Sequence, residues 1–246
     1  RDCLLSRGLG DVYKRQARWG PEYPVHTDPS LKDKFHHQTF FYDPNFRKIH
    51  PSGMSSYFPI HLHNYGQELH RCKRPNVAVV CVSPMDEHGY CCVSCDLQRE
   101  MESFYSADKI IYEVNPHIPH LPGDCALPVA MADVIIESDL TLYELQDPPI
   151  GEAEKAVAGY AAEMVHDGDC IQLGFGGIPN AIGFELMNRH DLGIHTEQIG
   201  TSMAHLMACG AVTNRYKSID QGITVGSFIS GDNFLYDFVD LSLIHI

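Results

Sequence analysis

The sequence predicts an α/β fold with mainly parallel sheets, and three observations carry that prediction. Short continuous apolar runs, such as Val77-Ala78-Val79-Val80-Cys81-Val82, are what a strand buried on both faces requires. Such runs alternate with segments of helical periodicity, the order that builds βαβ units. Turn-forming pairs such as Asn115-Pro116 and Asp167-Gly168 close the runs. No internal repeat or low-complexity tract is visible.

Taken in order, residues 17–59 are punctuated by six prolines and read as long loops, with one or two short strands around residues 40–42. Residues 77–82 are a buried strand. A turn-rich loop follows, then a strand over 91–93 and a helix over 96–107 with Leu97, Met101, Phe104 and Tyr105 on one side. Residues 110–114 form a third strand, and 133–137 a weaker one. Asp147-Pro148-Pro149-Ile150-Gly151 is the best linker. Residues 152–166 form the clearest helix, opened by acidic residues, filled with alanines and stopped by Asp167-Gly168. A strand over 169–173 leads into Gly174-Phe175-Gly176-Gly177-Ile178-Pro179-Asn180. A helix over 180–188, a strand over 192–197, a helix over 203–209 and a strand over 224–229 complete the pattern.

Composition narrows the function. The chain has 246 residues, of which 44% are hydrophobic, enough for a core in one large domain or two small ones. A formal net charge of −14 argues against nucleic acid and an anionic membrane surface as partners, because phosphates are repelled. An anionic cofactor stays compatible, since backbone donors can hold phosphates locally. No apolar run approaches the roughly 20 residues that span a bilayer, and no leader pattern opens the chain. The expectation is a cytoplasmic protein.

Nine cysteines, an odd number, several of them inside apolar runs, read as reduced buried thiols. Cys92 and Cys95 make one C-x-x-C, and His61 and His63 one H-x-H. A structural zinc site normally needs two such pairs at set spacing, so no metal is expected. Residues 1–16 and 241–246 lack periodicity and resemble translated adaptor sequence; they are set aside as non-native tails.

The chemistry gathers in two places. Gly174, Gly176 and Gly177 lie between a buried strand and a helix start, where backbone N–H groups converge and attract negative charge. They lack the spacing of a dinucleotide fingerprint, and no P-loop string occurs. A tight turn needing positive φ explains them equally well. Glu197 ends the strand over 192–197. In a parallel sheet, loops at the carboxyl ends of neighbouring strands share a crevice, so Glu197 can face the glycine loop. A carboxylate beside backbone donors suits acyl transfer, although a glutamate at a strand end is more often simply solvated.

Six strings, in order, carry a family resemblance. They are Tyr57-Phe58-Pro59-Ile60-His61-Leu62, Val82-Ser83-Pro84-Met85-Asp86-Glu87-His88-Gly89-Tyr90, Glu113-Val114-Asn115-Pro116, Gln172-Leu173-Gly174-Phe175-Gly176-Gly177-Ile178-Pro179, Leu192-Gly193-Ile194-His195-Thr196-Glu197 and Leu235-Tyr236-Asp237-Phe238. Over roughly residues 20–240 the chain resembles the acetyl-CoA hydrolase/transferase family, in particular the 4-hydroxybutyrate CoA-transferases. The resemblance implies two Rossmann-like halves with mainly parallel sheets: an N-terminal domain over 17–148, lacking its start, and a C-terminal domain over 149–240, incomplete. It implies an enzyme that moves CoA from a short-chain acyl-CoA to a carboxylate such as acetate, butyrate or 4-hydroxybutyrate. Glu197 matches the family nucleophile, and Gly174 and Gly176, with Gly177 adjacent, match the loop at the acyl thioester. The implied cycle is ping-pong through a glutamyl-CoA thioester. It uses no cofactor besides CoA, itself a substrate, and no metal. A homo-oligomer is implied for the full-length protein, and a fragment with uncovered sheet edges implies poor solubility or instability and no activity alone.

After Glu197 this chain reads Gln198-Ile199-Gly200-Thr201-Ser202 where many relatives continue Met-x-x-Asp-Gly, which bears on substrate preference. His61, Asn115 and His195 are further pocket candidates. Each has a plain alternative: a half-buried structural histidine for His61, a strand-ending turn for Asn115 and a packed strand histidine for His195. Arg47 and Lys48 read as a solvated charge pair before they read as a CoA phosphate site. Hydrolysis with the same nucleophile, or CoA binding without catalysis, are the competing functions.

Overall fold

The computed structural model describes residues 30, 33, 36–39, 47, 50–64, 67, 68, 71, 75–93, 95, 100–142, 144, 145 and 148–242. The chain divides into two compact units between Tyr143 and Glu144. It is a mixed α/β protein in which every sheet pairing but one is parallel among the described residues.

In the first unit, β1 (His37–Thr39) pairs parallel with β2 (Ser55–Tyr57). The expected strand around residues 40–42 falls outside the described residues. The main sheet has the order β3 (Val77–Val82), β5 (Lys109–Val114), β7 (Val134–Glu137), all parallel. β4 (Tyr90–Cys92) pairs antiparallel with β6 (Ala126–Pro128). The core joins Ala78, Val80, Val82, Cys91, Phe104, Ile110, Tyr112 and Leu127. β3 is buried along most of its length, as its unbroken apolar run requires. β5 instead alternates, with Ile110 and Tyr112 inward, and β7 at the sheet edge is exposed at every position.

α1 (Glu100–Ser106) is the described part of the helix expected over 96–107; Leu97 lies outside the described residues. Met101 and Phe104 face the core, three residues apart, but Tyr105 is 70% exposed. Grouping Tyr105 with them was an error of angle: consecutive residues sit about 100° apart around a helix, so Phe104 inward turns Tyr105 outward.

The second unit opens with α2 (Glu152–Glu163). The Gly151 N–H donates to the Glu154 carboxylate at 3.1 Å, satisfying an N-terminal amide. The helix stops three residues short of expectation, and His166 N–H already donates to the Asp169 side chain at 2.7 Å in the turn that Gly168 closes at φ 85°. β8 (Cys170–Ile171) and β9 (Gly193–Ile194) are parallel neighbours joined through α3 (Gly177–Glu185), and β10 (Gln198–Ile199) pairs parallel with β11 (Phe228–Ile229), joined through α4 (Thr201–Ala208). α3 packs between α2 and α4, and α5 (Asn233–Ser242) packs on α4. The core here joins Ala162, Ile171, Leu173, Leu186, Leu192, Ile194, Met203 and Leu206.

Several expectations shift: the strands expected over 169–173 and 224–229 are regular only at Cys170–Ile171 and Phe228–Ile229, and the helix expected over 203–209 runs from Thr201 to Ala208. α3 starts at Gly177, not at residue 180, because Pro179 occupies the third helical position, where its missing N–H would be unbonded anyway. The strand expected over 192–197 is regular only at Gly193–Ile194, and β10 resumes after a bend at Glu197. α5 was not anticipated; Asp232 caps it by accepting from the Leu235 N–H at 3.0 Å, and Leu235, Tyr236 and Val239 are its buried face.

Candidate active site

The β8–β9 register decides the site. Cys170 lies opposite Gly193 and Ile171 opposite Ile194. Beyond the regular strands the two segments stay together: His195 N–H donates to Ile171 O at 3.1 Å, and the Thr196 hydroxyl donates to Leu173 O at 3.2 Å. That last bond holds Thr196 against Leu173, and Glu197 and Gly174 are the next residues of the two segments. Burial follows the strand period of two. Ile171, Leu173, Ile194 and Thr196 are buried, while Gln172, Gly174, His195 and Glu197 are exposed. His195 and Glu197 therefore share the outward face, next to the segment where the glycine loop begins.

Within that loop, only Gly176 has a backbone that demands glycine, at φ 122°, and it forms the N-cap of α3. A Cβ at Gly174 or Gly177 would meet side chains only at 3.8 Å or beyond, ordinary contact. Those two positions are thus glycine by choice of open space rather than by strain. The first-turn N–H groups of α3 come from Gly177 and Ile178, since Pro179 has none. Phe175, between Gly174 and Gly176, is 57% exposed.

The Glu197 backbone is held from the far side. Its carbonyl accepts from Ser227 N–H at 2.8 Å and from Phe228 N–H at 3.3 Å, and Thr196 N–H donates to Val225 O at 2.9 Å. The close approach explains Gly226: a Cβ there would sit 2.7 Å from Ile199 Cγ1. The buried Gln198 amide donates to Ser230 O at 2.9 Å. Three residues before Glu197, Ile194 is gripped by side chains: its N–H donates to Asn214 Oδ1 at 2.9 Å, and its carbonyl accepts from Lys217 Nζ at 3.1 Å. Lys217 is only 3% exposed and also donates to Ile223 O at 2.6 Å, so carbonyl oxygens solvate its ammonium in place of water. Asn180, in α3, accepts from Ser202 N–H at 3.2 Å and so caps α4, the helix that leaves the site. Reading the sequence missed Asn214, Lys217 and Gly226, which carry no local signal; Thr196 and Gln198 stood out only as the neighbours of Glu197, without these anchoring bonds.

Two further candidates belong to the first unit. Asn115 is fully buried and both ends of its side chain are engaged: Oδ1 accepts from His117 N–H at 2.9 Å, and Nδ2 donates to Leu140 O at 2.8 Å. That is the geometry of a turn closing β5. His61 stacks on His63 with ring centroids 5.6 Å apart, but His63 lies in a 3-10 turn (Leu62–Asn64) rather than an extended segment, so alternation along a strand is not what aligns them. Arg47 is exposed, and Lys48 lies outside the described residues. Among the described residues no three His, Cys, Asp or Glu side chains gather as a metal site, and no helix is long and apolar enough to cross a membrane.

Comparison with known proteins identifies the family. Residues 22–143 match the acetyl-CoA hydrolase/transferase N-terminal domain. The chain is 40% identical over 194 residues to a succinyl-CoA:cyclohexane-1-carboxylate CoA transferase of Geobacter metallireducens, covering 79% of this chain and 44% of that protein. It is 33% identical over 216 residues to a 4-hydroxybutyrate coenzyme A transferase of Clostridium kluyveri, covering 87% and 50%. Among solved structures, RipA from Yersinia pestis superposes with a TM-score of 0.78 at 28% identity, covering 85% of this chain and 50% of RipA. A 4-hydroxybutyrate CoA-transferase from Porphyromonas gingivalis superposes at 0.72 and 29% identity, covering 89% and 58%. The chain belongs to the acetyl-CoA hydrolase/transferase family. It spans about half the length of the curated relatives it matches.

Proposed function

We propose that the whole protein transfers CoA from a short-chain acyl-CoA to a carboxylate such as acetate, butyrate or 4-hydroxybutyrate, with Glu197 as nucleophile. The observation that supports this reading is the Thr196 hydroxyl bond to Leu173 O, which joins the segments carrying Glu197 and Gly174, both of them exposed. The names of the relatives support the substrate class.

In the proposed cycle a Glu197 carboxylate oxygen attacks the thioester carbonyl, and the carbon–sulfur bond breaks to give a mixed anhydride and CoA thiolate. Backbone N–H groups of residues 174–177 receive the oxyanion that develops. The thiolate then attacks the glutamyl carbonyl, releasing the first carboxylate and leaving a glutamyl-CoA thioester. The acceptor carboxylate attacks that thioester, and returning thiolate completes the new acyl-CoA and frees Glu197. The thioester's free energy is conserved only while water is kept out; hydrolysis is the same chemistry with water as acceptor. The chemistry calls for no metal and no cofactor besides CoA. We assign His61, Asn115 and His195 no step. A homo-oligomer in the cytoplasm completes the proposal.

Incubating the whole protein with acyl-CoA and then treating it with borohydride tests the cycle. Reduction of a glutamyl thioester converts Glu197 to the corresponding alcohol, which peptide mass spectrometry detects. A protein that turns over while Glu197 stays unmodified would refute the assignment.

A further inference from the structure

We propose that Cys92 and Cys125 are an oxidative modification site that closes to a reversible disulfide with a peroxide as oxidant. This inference stands apart from CoA transfer and rests on the first unit alone. Cys92 ends β4, and Cys125 immediately precedes β6 in the antiparallel pair, where Cys92 is in register with Ala126 and Val93 N–H donates to Cys125 O at 2.9 Å. Strand alternation alone would not bring them together; Cys125 lies in the turn that leads into β6, and there both side chains reach one buried spot against the Leu121 carbonyl. Their sulfurs are 3.0 Å apart, while a disulfide needs about 2.0 Å, so a shift of about 1 Å closes the bond. In the sequence Cys92 and Cys95 form a C-x-x-C, weighed there only as half of a metal site; in three dimensions Cys125 lies within hydrogen-bonding reach of Cys92.

The surroundings favour transfer of one proton. Cys92 Sγ accepts from Leu121 N–H at 3.3 Å, and both thiols lie against Leu121 O, at 3.3 and 3.0 Å. The hydrogen bond that Cys92 gives to Cys125, together with burial, pushes the Cys92 thiol up, and the same bond holds the Cys125 thiol below its ordinary value. Cys125 is therefore the attacking sulfur. Its thiolate takes one oxygen of hydrogen peroxide to give the sulfenic acid and hydroxide, which removes the Cys92 proton as water. The Cys92 thiolate displaces hydroxide from the sulfenic acid, and that hydroxide, with the proton Cys125 first gave up, is the second water. Two thiols and one peroxide thus become one disulfide and two waters.

Both sulfurs are buried, so a small uncharged oxidant is the competent one. The β4–β6 ladder is only three residues long, a stretch that opens locally at low cost. Exposed Cys170 and Cys209 in the second unit are internal controls: they alkylate quickly in the native protein, whereas Cys92 and Cys125 are protected.

The test is peptide mapping of the whole protein. After exposure to hydrogen peroxide, the protein is unfolded, alkylated and digested without reductant. The expected product joins the Cys92 and Cys125 peptides, is two hydrogens lighter than their sum, disappears with dithiothreitol and is absent from Cys125→Ser. Recovery of both cysteines fully alkylated after unfolding overturns the proposal. So does a bond from Cys92 to Cys95, or sulfinic acid at Cys125 with no cross-link. The wild-type map decides the matter even if the serine variant does not fold.

Discussion

The two main parallel ladders of this protein are built in opposite ways. In β3–β5 six successive residue pairs stay in register, and the strands are held by backbone hydrogen bonds and an apolar core. In β8–β9 only two pairs are regular, and side chains take over: Thr196 bridges to Leu173, Asn214 and Lys217 grip Ile194, and Gln198 reaches Ser230. The first ladder carries no candidate nucleophile. The second is interrupted at the residue that is one. A regular ladder fixes all its residues equally, whereas side-chain anchors can fix the backbone around Glu197 and leave its carboxylate exposed beside a loop.

That contrast is broken most directly at Glu197. Glu197→Ala in the whole protein is expected to lower kcat by about 10³-fold or more, because no other group takes over covalent catalysis. Glu197→Asp, one methylene shorter, is expected to lose on the order of 10²-fold through misplacement. Both variants should melt like the parent, since the side chain is exposed. Steady-state kinetics with a thermal melt checks the pair, and an Ala variant that keeps the parental rate ends the proposal.

Gly226→Ala attacks the support. The new Cβ would collide with Ile199 Cγ1 at 2.7 Å, an overpacking that costs about 1–3 kcal/mol. Because the displaced strand carries the two donors to Glu197 O, kcat is expected to fall along with stability. Thr196→Val is the gentler version: it leaves Leu173 O without its hydroxyl donor and costs about 1–2 kcal/mol. Thr196→Ser keeps the hydroxyl and should restore the rate. Chemical denaturation read beside kcat distinguishes a positioning role, in which the rate recovers with the hydroxyl, from simple destabilisation.

The matching substitution in the regular ladder is Tyr112→Phe. Tyr112 is fully buried on β5, and its hydroxyl donates to Pro128 O at 3.1 Å. Loss of that bond is expected to cost about 1 kcal/mol and to leave kcat unchanged. Burial pushes the Tyr112 phenol up to about 12. The stability it contributes is therefore present below the ordinary tyrosine value near 10 and is lost as pH rises through the folded value. The Tyr112→Phe variant would flatten that alkaline loss, which urea midpoints across the range would show.

These differences explain what could be read in the sequence. Residues 77–82 announced themselves because a buried parallel strand must be apolar throughout, and 110–114 because a short apolar run ends at Asn115-Pro116, both local properties. Glu197 and the glycines were legible as candidates, and the resemblance singled them out. That the two can face each other was legible from the parallel order, but the register was not, because it depends on pairing residue 170 with residue 193 across a helix. Asn214 and Lys217 sit in a segment with no periodicity, and their work is to satisfy backbone groups of a strand twenty residues away. Gly226 falls inside the strand expected over 224–229, and its reason is a neighbour distant in sequence, the Ile199 side chain. Asp232, three residues before Leu235, did announce α5, and the capping pattern went unused.

The smallest effect belongs to the edge of the regular sheet. Lys109 Nζ meets Asp133 Oδ1 at 2.6 Å, and Ile110 N–H donates to Asp133 Oδ2 at 2.9 Å, tying the start of β5 to the approach to β7. The hydrogen-bonded Lys109 ammonium, and then the Ile110 amide, hold the Asp133 carboxyl below the usual carboxylate range. A depressed folded value means the stabilisation is present above the unfolded value near 4 and is lost as pH falls through the folded one. Asp133→Asn removes that titration, so its stability should fall less steeply than the parent's below about pH 4. The pair is solvent-facing, so salt should shrink the difference between the two profiles. If salt leaves the acid limb of the parent unchanged, the Ile110 amide rather than the Lys109 charge holds this corner, and the edge strand is fixed by backbone bonding as the rest of its sheet is.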